Sequence, residues 1–351
     1  MLILGIETSC DETAAAVIDA ADDRWRIRSS VVASQADIHR EWGGVVPELA
    51  SRQHVRDICG VVERALADAG VGWDGLGGMA VTQGPGLVGA LLVGVSFAKA
   101  AAWARGLPLV GVHHIAGHVE SLWLAHGPLP LPAVVLVVSG GHTSLFHVPE
   151  AGTYTLLGRT RDDAAGEAYD KVAKLLGLGY PGGPVIDRLA AGGRDDAVDL
   201  PVTRLTHPDR NARHRDSTYD FSFSGLKTAV LRHVRQRQAA LGTERLPEAE
   251  VADLCASFQR VVVRTLVGRT FDAARALGAR AVGVAGGVSA NRRLRADFAA
   301  KGERRRIPVF VPPVSLSTDN AAMIAAAGVR LFQRGLIAGD RLNAVPSLPL
   351  G

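Results

Sequence analysis

Cysteine is scarce: Cys10, Cys59 and Cys255 are the only three among 351 residues. The number is odd and no pair has Cys-x-x-Cys spacing, which argues against a disulfide framework and for a reducing compartment. A long apolar run is also missing. None reaches the ~18 residues that a membrane span needs, and Met1 to Glu7 enters a strand pattern with no basic region or cleavage site before it. The sequence therefore reads as cytoplasmic, with no membrane partner. Nor does one sign of charge dominate. Lys and Arg number 39 against 35 Asp and Glu, a net charge of +4, and the pI is near 9.2. An acidic partner is permitted and not required.

What the chain has in quantity is apolar residues, 47%, and glycine, 40 of 351. That suffices for a full core in two lobes, and many glycines stand in pairs at strand ends, as in loops that cradle phosphate. The pattern is α/β. Strands at 2–6, 13–19 and 27–33 precede a helix over 45–69, interrupted near Pro47. A strand at 77–82 leads through Gln83-Gly84-Pro85-Gly86 into a helix over 87–104, and a strand at 109–112 into a helix ending near 125. Residues 127–132 carry three prolines and break the chain. The order then repeats: strands at 133–138, 143–147 and 153–157, helices over 163–176 and 248–277, a strand at 281–285, a helix from Asn291, a strand at 307–311 and a helix over 319–334. Internal duplication predicts two lobes that grip a phosphate between paired hairpins. The expected bounds are 1–126, joined by the C-terminal helix 319–351, and 132–318 with an insertion at 178–245.

The insertion is rich in basic residues: Arg204, His207, Arg210, Arg213, His214 and Arg215, then Arg232, His233, Arg235 and Arg237. A later cluster comprises Arg292, Arg293, Arg295, Lys301, Arg304, Arg305 and Arg306. These are either solvated faces or surfaces suited to a phosphate backbone, which basic side chains bind by displacing counterions.

Several stretches can carry chemistry. In Gly111-Val112-His113-His114-Ile115-Ala116-Gly117-His118, His114 and His118 stand four apart. On a helix they share a face, where two imidazoles can hold one metal ion. A capping histidine and a surface histidine would leave the same letters. Ser139-Gly140-Gly141-His142-Thr143 and Gly286-Gly287-Val288-Ser289-Ala290-Asn291 lie at strand ends. There glycine lets amides approach an anion, and a helix N-terminus favours phosphate. Neither loop has the Gly-Lys-Ser/Thr ending of a Walker A loop or fits Gly-x-Gly-x-x-Gly. Asp163, Glu167 and Asp170 fall on one helical face, and Asp170 with Asp187 could hold ribose hydroxyls; helix capping would use the same acids. Asp11 or Glu12 could serve as a general base, although a hairpin turn also favours acidic residues.

Seven motifs, taken together, closely resemble the bacterial form of the tRNA N6-adenosine threonylcarbamoyltransferase family, once labelled a metalloprotease. They are Gly5-Ile6-Glu7-Thr8-Ser9-Cys10-Asp11-Glu12-Thr13, His113-His114-Ile115-Ala116-Gly117-His118, Val138-Ser139-Gly140-Gly141-His142-Thr143, Gly166-Glu167-Ala168-Tyr169-Asp170-Lys171, Phe221-Ser222-Phe223-Ser224-Gly225-Leu226-Lys227, Gly286 to Asn291 and Ser317-Thr318-Asp319-Asn320. The resemblance implies the duplicated α/β fold of actin, hexokinase and Hsp70, with two lobes around a nucleotide-binding cleft. It implies transfer of an L-threonylcarbamoyl group from threonylcarbamoyl-AMP to N6 of adenosine 37, in tRNAs that read codons beginning with A. It also implies one Fe2+, or Zn2+ in some members, held by His114, His118 and Asp319. Val137, Val138, Ser139, Gly140 and Gly141 would line the substrate site, and Asp170, Gly183, Asp187 and Asn291 would grip the adenylate. The partners it implies are tRNA, an inactive paralogue and a small ATPase. Asp11 is the expected base or amine-orienting group, with Glu12 next. Because helices 114–125 and 319–334 follow the last strands of their halves, a metal on all three ligands is expected to pin one lobe to the other.

Three other classes compete. A metal-dependent peptidase is disfavoured because His114-Ile115-Ala116-Gly117-His118 lacks the glutamate that activates water in His-Glu-x-x-His, and Glu120 is wrongly placed to replace it. A non-catalytic nucleotide-binding scaffold would have no use for His114, His118 and Asp319. A sugar or acyl kinase on this fold would need a substrate site that is not evident here.

Overall fold

Leu2–Glu7 (β1) is an apolar strand buried almost throughout, as suits the centre of a sheet covered on both faces. It pairs antiparallel with Glu12–Asp19 (β2), which pairs with Arg26–Ser34 (β3). After Ala36–Arg40 (α1) and Pro47–Ala69 (α2), Gly78–Gly84 (β4) joins the other edge of β1 in parallel. Val88–Arg105 (α3) then crosses to Leu109–His113 (β5), which runs into His114–His126 (α4). The sheet order is β3-β2-β1-β4-β5.

The second sheet repeats the plan. Ala133–Val138 (β6), wholly buried, pairs antiparallel with Thr143–Val148 (β7), and that strand with Thr155–Arg159 (β8). Among the described residues, Ala165–Leu175 (α5), Gly182–Ala190 (α6), Ser224–Leu241 (α7) and Glu248–Ala276 (α8) follow. Ala281–Ala285 (β9), Arg292–Arg305 (α9) and Val309–Phe310 (β10) complete the unit. Its order, β10-β9-β6-β7-β8, matches that of the first sheet. This repeat is the duplicated α/β fold of actin, hexokinase and Hsp70. The chain then returns through Val314–Ser317 (α10) and Ala321–Gln333 (α11). The computed structural model describes residues 1–21, 24–203, 205 and 219–351. They form two units, 1–129 with 151–153 and 312–351, and 130–150 with 154–311.

Period-two alternation in β1 sends side chains to opposite faces. Leu4 and Ile6 meet Ile58 and Val62 of α2 and Val95 of α3, whereas Ile3 joins Ala321 to Ala326 of α11. Gly5 lies on the α11 face, where a Cβ would collide with the Ala321 carbonyl oxygen and the Ala325 nitrogen. Gly5→Ala is therefore expected to destabilise the fold by roughly 1–3 kcal/mol through overpacking, seen as a lowered melting temperature.

Several expectations change. Among the described residues, α3 is an apolar helix of 18 residues that by length and composition could cross a membrane, contrary to the absence inferred from the sequence. Its Ala90, Leu91, Val95, Ala98 and Ala102 are buried, and mid-helix Lys99 donates to the carbonyls of Asp340 and Leu342 at 2.8 and 2.9 Å. The last helix starts at Ala321 because the Asn320 side chain accepts from Met323 N at 3.0 Å, which leaves Asp319 in the preceding loop. Asp163 likewise precedes α5 and shares no helical face with Glu167. Lys171 joins the two, 2.6 and 2.8 Å away. The helix expected from residue 45 begins at Pro47, and α1, α6 and α7 were not foreseen. Arg204, His207, Arg210, Arg213, His214 and Arg215 lie outside the described residues.

Candidate active site

The turn from β5 into α4 places three histidines in three different roles. His113 caps the helix through its Nδ1, which accepts from Ile115 N at 3.1 Å, and its Nε2 donates to the Leu348 carbonyl at 3.0 Å. Burial pushes its pKa down to about 4, so the ring is neutral, as this pairing requires. His114 and His118, one turn apart, are both buried, with ring centroids 4.8 Å apart. Asp319 reaches the same point. Its Oδ1 lies 3.2 Å from His118 Nε2 and 3.6 Å from His114 Nε2, and one ligand atom from each of the three residues falls within 4.8 Å of the others.

The donor set fits a metal. Among the described residues neither ring nitrogen of His118 makes a well-aligned hydrogen bond, although Asp319 Oδ1 approaches Nε2 to 3.2 Å, and a buried nitrogen left so ordinarily costs roughly 1–3 kcal/mol. A cation at Nε2 would engage one of them. His114 is held from behind: its Nδ1 lies 2.9 Å from Glu7 Oε2 and 3.2 Å from Ser9 Oγ. Glu7, fully buried, also accepts from Thr82 Oγ1 at 2.8 Å and from Ser9 N. Donation from Nδ1 to Glu7 presents the Nε2 lone pair to the metal, the usual carboxylate–histidine–metal arrangement. Two imidazoles and a carboxylate suit zinc or iron and leave positions open for substrate. The sequence reading missed Glu7; its signal was an acid closing an otherwise apolar strand. Glu7→Gln is expected to weaken metal affinity roughly 10–100-fold, measured by titration against a competing chelator.

Burial alone would depress His114, but the Asp319 and Glu7 carboxylates outweigh it and raise its pKa to about 9. Since the folded value exceeds the ordinary 6.5, the metal-free protein has this contribution in full below pH 6.5 and loses it as pH rises through about 9. Metal binding needs the neutral ring and strengthens in the same direction. Raising pH is thus expected to lower the melting temperature of metal-free protein while widening its gap to metal-loaded protein.

His114, His118 and Asp319 all belong to one unit, because α10 and α11 close on the first sheet. The expectation that the metal pins one lobe to the other is therefore wrong. Asp11 lies in the β1–β2 turn and Glu12 opens β2, where the charges of both Asp319 and Asp11 reach it. Burial, reinforced by the charges of Asp319 and Asp11, pushes Glu12 up to about 10, so it keeps its proton at neutral pH. α2 holds this turn: His54 Nε2 donates to the Cys10 carbonyl at 3.0 Å and its Nδ1 accepts from Thr13 Oγ1 at 2.7 Å.

The second unit collects the other candidates. Val137 and Val138 end β6, and the turn Ser139-Gly140-Gly141-His142 closes on itself through Ser139 N to the His142 carbonyl, 2.8 Å. A Cβ on Gly140 or Gly141 would meet nothing, whereas one on Gly166 would strike the backbone of Gly140. Gly286, at φ +92°, passes so close to Val138 that a side chain would strike its carbonyl oxygen. Asp162 accepts from Phe223 N at 2.8 Å and Ser224 N at 3.2 Å, which anchors the start of α7. Asp170 accepts from Gly182 N at 2.7 Å, a Cβ on Gly183 would meet open space, and Asp187 pairs with Arg292 at 2.9 Å. Asn291 caps α9 through Leu294 N and donates to Gln259 at 2.7 Å. Gln259, which the sequence reading did not single out, also accepts from Tyr169 at 3.4 Å, so it ties α5, α8 and the start of α9 together.

With this geometry in view, similarity to other proteins becomes informative. A sequence model described as tRNA N6-adenosine threonylcarbamoyltransferase matches residues 26–326. A protein of that name from Anaeromyxobacter dehalogenans is 55% identical over 346 residues, 98% of each chain. Another from Geobacillus kaustophilus is 53% identical over 349 residues, 99% of this chain and 96% of its own. Among solved structures, component A of the Acidaminococcus fermentans (R)-2-hydroxyglutaryl-CoA dehydratase superposes with a TM-score of 0.51 at 16% identity. It covers 95% of this chain and 97% of that one, and shows a shared fold alone. The chain belongs to the tRNA N6-adenosine threonylcarbamoyltransferase family.

Proposed function

We propose that this chain transfers an L-threonylcarbamoyl group from threonylcarbamoyl-AMP to N6 of adenosine 37, in tRNAs that read codons beginning with A. The observation that carries the reading is the trio His114, His118 and Asp319, its two histidines buried and Glu7 behind His114, in a chain of this family. An exocyclic adenine amine is a poor nucleophile because its lone pair is delocalised into the ring, so transfer needs a polarised carbonyl, a good leaving group and removal of a proton. His114, His118 and Asp319 would hold the metal, Fe2+ in this proposal and Zn2+ as the alternative, which would supply Lewis-acid polarisation of the carbonyl. AMP is the leaving group.

The protein's own residues do the rest. Glu7 fixes the His114 tautomer. Asp11 takes the proton from the attacking amine, while Glu12, which holds its own proton, is the weaker candidate for base. Gly140 and Gly141 offer their amides to the donor's anionic part beside Val137, Val138 and Ser139, and Asp170, Gly183, Asp187 and Asn291 position the adenylate. An inactive paralogue and a small ATPase are the proposed protein partners, in the cytoplasm. Incubating the protein with threonylcarbamoyl-AMP and unmodified tRNA, then digesting to nucleosides, tests the reading. N6-threonylcarbamoyladenosine is expected, whereas a peptidase or a scaffold would form none.

A further inference from the structure

α8 and α9 line a basic groove in the second unit. Positions 260, 264 and 268 of α8 recur every four residues, as do 293, 297 and 301 of α9, with 304 three further on, so each set shares one helix face. A cavity of about 430 Å³ is lined by Arg260, Arg264, Arg293, Asp297, Lys301 and Arg304. A second, of about 330 Å³, is bordered by the same Arg260 and Arg264, with Asp199 as its acid.

Charge in the larger cavity is uncompensated. Its only carboxylate, Asp297, is taken by Arg293 Nε at 3.0 Å, and Arg293 also pairs with Asp195 at 3.0 Å. Among the described residues, Arg260, Arg264, Lys301 and Arg304 have no ion pair within 4.0 Å. The Nε of Arg260 is buried with no hydrogen-bond partner among them, a donor left for a ligand to satisfy. From residue 293 to residue 304 the α9 face runs roughly 16 Å at the α-helical rise, longer than one phosphate group, and exposed Arg305 and Arg306 extend it.

We propose that this groove binds the phosphate backbone of an RNA strand and is a docking surface for the tRNA substrate. The inference rests on the tRNA-modifying function proposed above. These four cations along two ridges match successive phosphates, and the guanidinium forks of Arg260, Arg264 and Arg304 suit phosphate oxygens. Equilibrium binding of an unmodified tRNA to the full-length protein, across a series of KCl concentrations, tests it with wild type and Arg264→Gln/Lys301→Gln. The double variant is expected to bind roughly tenfold more weakly, with a slope of log affinity against log salt shallower by about two, one for each cation removed. Its KM for tRNA rises while kcat at saturating tRNA holds. Should that variant fail to fold, Arg304→Gln, at an exposed position, is expected to lower the slope by about one. Unchanged affinity and slope, in a wild type that modifies tRNA, would overturn the groove and leave the function standing. Inorganic pyrophosphate is the second probe: if it fills the groove without displacing tRNA, the site serves a small phosphate compound and the proposal is wrong. A wild type that forms no modified nucleoside refutes the function instead.

Discussion

Asp319→Ala is expected to lose both the bound metal and the reaction while leaving the fold intact. Asp319 lies in the loop between α10 and α11, partly open to solvent, so truncating it leaves the core packing untouched. It does remove one of the three candidate ligands found among the described residues. Metal affinity should fall by more than the roughly 10–100-fold that follows loss of an outer hydrogen-bonding partner. Lewis-acid stabilisation is worth several kcal/mol, so transfer should slow at least ~10²–10³-fold. Asp319 is also the first of the carboxylates that raise His114, so the His114 titration should move down in the metal-free variant. His118→Ala should match it in metal content and rate. Undiminished metal in either variant, by elemental analysis of protein purified without air, would remove these residues as ligands.

Asp11→Ala should separate binding from chemistry. Its position in the β1–β2 turn, beside a residue that the Asp319 charge reaches, makes it a candidate to receive the amine proton, a role typically worth about 10²–10⁴-fold in rate. The variant should keep its metal and its affinity for threonylcarbamoyl-AMP and lose transfer. Glu12→Gln is the internal control. Glu12 already holds a proton at neutral pH, and glutamine imitates that neutral state, so a small effect is expected. Loss of donor binding in Asp11→Ala would make Asp11 structural, and a large rate loss in Glu12→Gln with Asp11→Ala still active would assign the base to Glu12.

The duplicated α/β order was legible because each half repeats strand, turn, strand and strand with strong apolar runs, such as Leu2–Ile6 and Ala133–Val138. Both sheets then adopt one strand order. The His114 and His118 pair was legible from its spacing. Asp319 entered through the family resemblance, since spacing alone gave it no link to those histidines. What stayed hidden depends on packing. Gly5 lets α11 close on β1, and this carries Asp319 into the same unit as the histidines. Reading two equivalent helices from the duplication suggested the opposite. Glu7 and Gln259 were invisible for a similar reason, because each acts through a hydrogen bond to a residue distant in sequence, His114 and Asn291. α6 and α7 lie in an insertion whose Gly, Pro and Arg content masked their short apolar faces.

The most direct test runs the nucleoside assay on one preparation in three states: as purified with metal, stripped by chelator, and reloaded with Fe2+ or Zn2+. Formation of N6-threonylcarbamoyladenosine should be present, lost and restored in turn, with the stripped His118→Ala variant not rescued by either metal. Equal yield from stripped and loaded wild-type protein would contradict a metal on His114, His118 and Asp319 as the centre of the reaction.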